Sequence, residues 1–184
     1  RSTQATTNFG TSTLQSCAPG CGSPQGESLS FVHFTVSGLS GSPTAVQLSL
    51  FSDSTGATKT QVYSTASTWT ETGINYGTKP AQGNLVGTTG TLTAGQRTTA
   101  DVTSAVTGNG TYSFELKTTA TAVRIADSRE GANPPQLLVT SGSPTSSPPP
   151  SSSAASSSAA SSSAASSSSG QADPVIALAG DIAC

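Results

Sequence analysis

In the stretch SLSFVHFTVSGL, Val32, Phe34 and Val36 alternate with His33 and Thr35. Successive side chains of a strand point to opposite faces, so this spacing makes a strand with one buried face, whereas a helix would scatter the same residues around its axis. The pattern recurs. TAVQLSLFS sets Val46, Leu48 and Leu50 against Gln47 and Ser49, TYSFELKT turns Tyr112, Phe114 and Leu116 inward, and TAVRIADS does so with Val123 and Ile125. PPQLLVTS supplies a last strand, which its two prolines keep from starting earlier because proline cannot donate to a ladder. Turn-forming clusters at 38–43, 53–56 and 108–110 separate these runs. Together they predict an all-β fold, an antiparallel sandwich. The short Thr-Thr-Ala link between TYSFELKT and TAVRIADS predicts a hairpin with Glu115 opposite Arg124 as a cross-strand ion pair. One helical turn is expected over 101–106, capped by Asp101.

The composition changes abruptly after residue 140. SGSPTSSPPPSSSAASSSAASSSAASSSSG carries an SSSAA repeat and no large apolar side chain, so it cannot offset the entropy of ordering. A disordered, partly extended linker is therefore expected over 141–172, between a domain at 1–140 and a short segment at 173–184. That segment, DPVIALAGDIAC, is apolar from Val175 to Ala179 and suits a strand buried on both faces. It reads as the first strand of a second, truncated domain.

Charged residues make up 9% of the chain and the net charge is −2, which leaves no basic footprint for nucleic acid or an anionic membrane. No apolar run approaches the roughly 20 residues of a membrane-spanning helix. The sequence contains no Met, so Arg1 is not expected to be a translation start, and the chain reads as a piece of a longer secreted, extracellular precursor. Of its three cysteines, Cys17 and Cys21 flank an Ala-Pro-Gly turn and can form a disulfide if their Cα atoms come within about 7 Å. The rival reading, half of a metal site, lacks a second cysteine pair. Cys184 is left over, which fits a partner further along the precursor.

The segments TNFGTSTLQ, FVHFTVSGL, AVQLSLF, STWTETGINYGTKPAQG, ADVTSAV, GTYSFELKT and IADSREGANPPQLLV follow one another in the order seen in DNRLRE-type domains. Residues 1–139 thus resemble that group, which includes the family-96 carbohydrate-binding modules. The most specific matches are Trp69 with Glu71, Asp101 to Thr103, Ser128 to Gly131, and Pro134 to Leu137. The resemblance implies a jelly-roll β-sandwich that accompanies secreted bacterial enzymes, with polysaccharide binding by some members. Two departures stand out. The chain opens inside the N-x-G-T motif, so the family's first strand is expected to be clipped, and CAPGCG lengthens the first loop. PVIALAGDIAC has its own likeness, to the opening strand of calcineurin-like metallophosphoesterases, in which Asp181 would be the first metal ligand. Ala183 stands where the commoner pattern has His.

Trp69, the single tryptophan, reads either as a plate for a sugar ring or as a cap on the core with Glu71 fixing a turn. Tyr63 and Tyr76 are then the better platform candidates. Arg129 and Glu130 can clamp hydroxyls or a uronate, or form an internal bridge. Lys117 and Arg124, with His33, can face an acidic sugar or a solvated sheet surface. Asp53, Asp101 and Asp127 lie in separate segments; a structural calcium is compatible with them, though their spacing gives it no support. Asn109-Gly110-Thr111 fits both a glycosylation sequon and a turn. There is no Ser-His-Asp order, H-E-x-x-H or P-loop, and only one His, so no catalytic site is expected in residues 1–140.

The leading expectation is a monomeric, non-catalytic module that binds a polysaccharide or cell-wall glycan and requires no cofactor. It would be tethered to a secreted phosphoesterase whose two divalent metals bind in the downstream domain. The alternatives are a passive spacer without a sugar site, and a phosphoesterase whose activity lies wholly beyond this chain.

Overall fold

The structure, a computed structural model, describes residues 1–22 and 26–142 in full and the backbone of 175–183. The linker expected over 141–172 lies, from residue 143 onward, outside the described residues. Among the described residues ten strands form: β1 (Leu14–Ser16), β2 (Ser30–Val36), β3 (Pro43–Ser52), β4 (Thr60–Thr65), β5 (Gln82–Thr88), β6 (Gln96–Asp101), β7 (Gly110–Thr118), β8 (Arg124–Ala126), β9 (Gln136–Ser141) and β10 (Val175–Ala183). Every pairing is antiparallel. In the first sheet β6 pairs along one edge of β3, β9 and then β8 along the other, and β1 lies outside β8. The second sheet runs β10, β2, β7, β4, β5. β10 belongs to both. Val175–Leu178 pair with β9 and Ala179–Ala183 with β2, with a register shift between Ala179 and Asp181 that lets one strand turn the corner between two sheets. The segment expected to open a separate domain thus forms a strand along the seam of the sandwich.

The alternating residues meet between the sheets. Val32, Phe34, Val36, Val62, Phe114 and Leu116 from one sheet face Val46, Leu48, Leu50, Ala100, Leu137 and Val139 from the other, all buried. Phe34 and Phe114 pack as a tilted pair with ring centroids 6.4 Å apart. The turn over Thr103–Ala105 closes one end with Val102 and Val106. Asp101 accepts hydrogen bonds from the Thr103 amide (2.9 Å) and hydroxyl (2.7 Å), which hold its carboxyl below the usual range.

Two expectations are corrected. β2 is not half-buried, because Phe31, on the face opposite Phe34, is only 2% exposed. The predicted β7–β8 hairpin does not form either, since β7 pairs with β2 and β4 while β8 pairs with β1 and β3 in the other sheet. The short link is a crossover, held where the Ala18 amide donates to the Ala120 carbonyl (2.8 Å). Glu115 therefore faces Phe31 and Tyr63 across the ladder rather than Arg124. Ala18 lies in the loop closed by the disulfide between Cys17 and Cys21, whose Cα atoms are 6.2 Å apart. Cys17 exchanges backbone hydrogen bonds with Ser28 (2.9 and 3.0 Å), so this loop joins the start of β2 to the crossover.

Phe34→Ala should destabilise the domain by about 3–5 kcal/mol, through lost transfer energy plus a cavity, as read by denaturant unfolding. Leu85, at 52% exposed on β5, should tolerate Ala within about 0.5 kcal/mol.

Candidate functional site

Phe31 is buried because the segment between β4 and β5, residues 66–81, folds back over the outer face of the second sheet. Leu29, Phe31, Trp69 and Ile74 form a small second core there, with Tyr76 at its margin. Trp69, 8% exposed, meets Phe31 edge-on (centroids 6.2 Å) and lies tilted against His33 (4.8 Å). The Asn8 side-chain amide donates to the Glu71 and Ile74 carbonyls (2.5 and 2.6 Å), and the Gly77 amide donates to the Ala5 carbonyl (2.9 Å). Arg129 pairs with both Glu71 and Glu130. Gly10 packs so closely that a Cβ there would lie 2.8 Å from Glu71 Cγ. The N-x-G, W-x-E and S-R-E-G motifs thus converge on one knot that fastens the covering segment to the sheet.

A row of polar groups follows the edge of this cover. Lys117 Nζ lies 3.3 Å from Glu27, the Tyr76 hydroxyl donates to the same carboxylate, and the Lys79 ammonium sits over the Tyr76 ring 5.0 Å from its centroid. The bond to Glu27 pushes the Tyr76 phenol up to about 12. Burial works to raise the Glu27 carboxyl, but Tyr76, Lys117 and Lys79 outweigh it and hold the group below its usual range. Glu115, 1% exposed, is pushed up by burial, against the pull of Lys117 and Lys79. Its Oε1, like Trp69 Nε1 and Ser113 Oγ, has no hydrogen-bond partner among the described residues.

Beyond the cover the face is open. Tyr63, half-buried, is directly opposite Leu85 in the β4–β5 ladder, and Leu85 stands out as the exposed large apolar residue of the described chain. Beside Trp69 a hollow of about 280 Å³ is lined by Thr68, Thr70, Gly73, Ile74, Thr78 and Pro80. An apolar strip flanked by fixed donors and acceptors suits a ligand with both C–H faces and hydroxyls.

A sequence profile described as Carbohydrate-binding module family 96 matches residues 1–141. The chain belongs to carbohydrate-binding module family 96. No curated protein matches the sequence. In this family-96 module, Tyr63, Tyr76 and Lys117 gather on the outer face of the β2–β7–β4–β5 sheet. Arg124 lies elsewhere. It donates to the Thr55 carbonyl (3.1 Å), rests against Gly56, and lines a small cavity between the sheets with Leu14, Leu50 and Leu116. Arg129 and Glu130 join the knot at Glu71, and His33 lies under Trp69.

The sequence reading missed Glu27, Lys79, Leu85 and the burial of Glu115. An exposed Leu in the polar run QGNLVGT was the one available signal. Asp53 and Asp127 meet, and burial together with the second carboxylate pushes Asp53 up; Asp101 sits at the far end of the β3–β6 ladder. Among the described residues no group of three His, Cys, Asp or Glu is arranged to hold a metal ion. The Asn109 side chain is engaged at both ends with the Leu39 backbone (2.9 and 3.1 Å), as a turn residue would be. Asp181 falls opposite His33 in the β10–β2 ladder.

The Tyr76–Glu27 bond gives the module two pH limits. Tyr76 has a raised folded-state pKa, so its stabilisation should be complete below about 10 and vanish as pH rises through about 12. Glu27 has a lowered one, so its contribution should be lost in acid as pH falls through its folded-state value. Phenolate absorbance should show one late-titrating tyrosine that Glu27→Gln returns toward the ordinary range.

Proposed function

We propose that the outer face of the β2–β7–β4–β5 sheet binds a glycan, and that the protein is a secreted targeting module. The observation that carries this reading is the placement of Tyr63 and the exposed Leu85 on one ladder, beside the fixed Lys117–Glu27–Tyr76–Lys79 row. An aromatic plate covers the C–H face of a pyranose, and the paired charges offer donors and acceptors to its hydroxyls. Two half-buried lysines on this edge favour a sugar that carries a carboxylate. The Arg129–Glu71 pair acts in this reading by holding the covering segment in place beside that face.

Calorimetry of the full chain against neutral and uronate polysaccharides, with and without calcium, tests the assignment. Tyr63→Ala and Lys117→Ala should each weaken binding about tenfold, equivalent to about 1.4 kcal/mol, and leave the fold intact. Leu85→Ala should weaken it less. The absence of saturable binding to any glycan would favour the passive-spacer reading.

The tethered phosphoesterase rests on the DPVIALAGDIAC likeness, with Asp181 as the first ligand of two divalent ions. It needs Val175–Ala179 as the opening strand of a separate sheet, whereas the same residues here pair with β9 and β2. The described residues do not assemble a two-metal site.

A further inference from the structure

β9 and β10 are consecutive among the described strands and antiparallel neighbours in space. Val175 pairs with Val139, two residues before β9 ends at Ser141. Strands so placed need a turn of roughly 2–5 residues, because neighbouring strands lie only about 5 Å apart. The chain instead places residues 142–174 between them. The contour length of that stretch is about 110 Å. A turn would confine the strand to its own sandwich, but a connection of this length does not.

The seat of β10 is the seam of the fold. β10 supplies the backbone partners for one edge of β9 and one edge of β2, strands that carry the buried Leu137, Val139, Val32 and Phe34. An open sheet edge takes up any strand with a matching register. Among the described residues the disulfide, between Cys17 and Cys21, lies at the other end of the chain and does not hold this strand.

We propose that Val175–Ala183 is an exchangeable closing strand. At high local concentration two copies of this chain trade it reciprocally, each sandwich being sealed by the partner copy's strand. The long tether sets the balance. For a stretch of this length the effective intrachain concentration is on the order of millimolar, so a monomer dominates in dilute solution and exchange competes once modules crowd to that level. A traded pair carries two copies of each surface. The inference rests on the β10 pairing and stands apart from the glycan assignment.

Cross-linking of the full chain in a Cys184→Ser background tests it. Ile176 lies directly opposite Leu138, so Leu138→Cys with Ile176→Cys in one chain should form an intrachain disulfide in dilute solution. Mixing the two single variants near millimolar concentration and then oxidising should give a disulfide-linked dimer. Its yield should exceed that of Ile176→Cys mixed with Gln61→Cys by about tenfold, and should fall on dilution to micromolar before oxidation. A double variant without the intrachain disulfide would overturn the seat itself, as when residues 175–183 belong to another domain. An intrachain disulfide without interchain linkage at any concentration would overturn the exchange.

Discussion

A strand with large apolar residues on both faces cannot leave either face to water. β2 sends Val32, Phe34 and Val36 between the sheets and Phe31 the other way. Burying a phenylalanine side chain is worth roughly 1.5–3 kcal/mol, so a bare outer face would forfeit a sizeable share of a small domain's margin. The segment over residues 66–81 supplies the cover, and it forms no strand of its own to hold it in place. It depends on side chains from distant parts of the chain: Asn8 on its carbonyls, Arg129 on Glu71, and Trp69 against Phe31 and His33. Three of the motifs that carry the family resemblance, N-x-G, W-x-E and S-R-E-G, are spent on this fastening. The surface proposed to meet the glycan is built beside it.

The cover has an electrostatic consequence. Glu115 sits on the same row as Phe31, so covering one buries the other, and an unpaired carboxylate out of water costs several kcal/mol. The chain responds by pushing the carboxyl up toward its neutral form and by bringing Lys117 and Lys79 to it. Lys117 is shared with Glu27, Glu27 with Tyr76, and Tyr76 with Lys79, so each group orders the next. Although only 9% of its residues are charged, the protein gathers Glu27, Lys79, Glu115 and Lys117 on one rim. With Glu115 pushed toward its neutral form, Lys117 and Lys79 face one ionised carboxylate, Glu27. The pre-ordered row thus offers donors and acceptors to hydroxyls and leaves a positive excess for a charged group on a sugar.

The strands were legible where alternation was carried by large residues, as in β2, β3, β7 and β9. β5 and β6 escaped because QGNLVGT is mostly exposed and QRTTAD buries only Thr98 and Ala100, too small to mark a period. The β7–β8 hairpin was misread because a short link looks the same whether it turns within a sheet or crosses to the facing one. The answer lay at Ala18, a hundred residues away. Tyr63 and Lys117 could be chosen from residue type and strand parity, and Tyr76 from residue type alone. Glu27 and Lys79 could not, since their roles exist only after residues 66–81 fold over the sheet.

The same alternation that defines the core also leaves β2 and β9 with edges to be satisfied, and the chain answers with a strand far away in sequence. Closing a loop of about thirty residues rather than three costs about 2 kcal/mol more in entropy. The seam is therefore held by a strand that pays more to arrive than any hairpin partner in the fold. Its pairing passes from β9 to β2 between Leu178 and Ala179, so neither half is a full ladder. A unit with a large closure cost and a short ladder on each side should open before the strands around it. The sandwich is thus most stable where its sequence pattern is clearest, and least so along the edge that the pattern cannot close by itself.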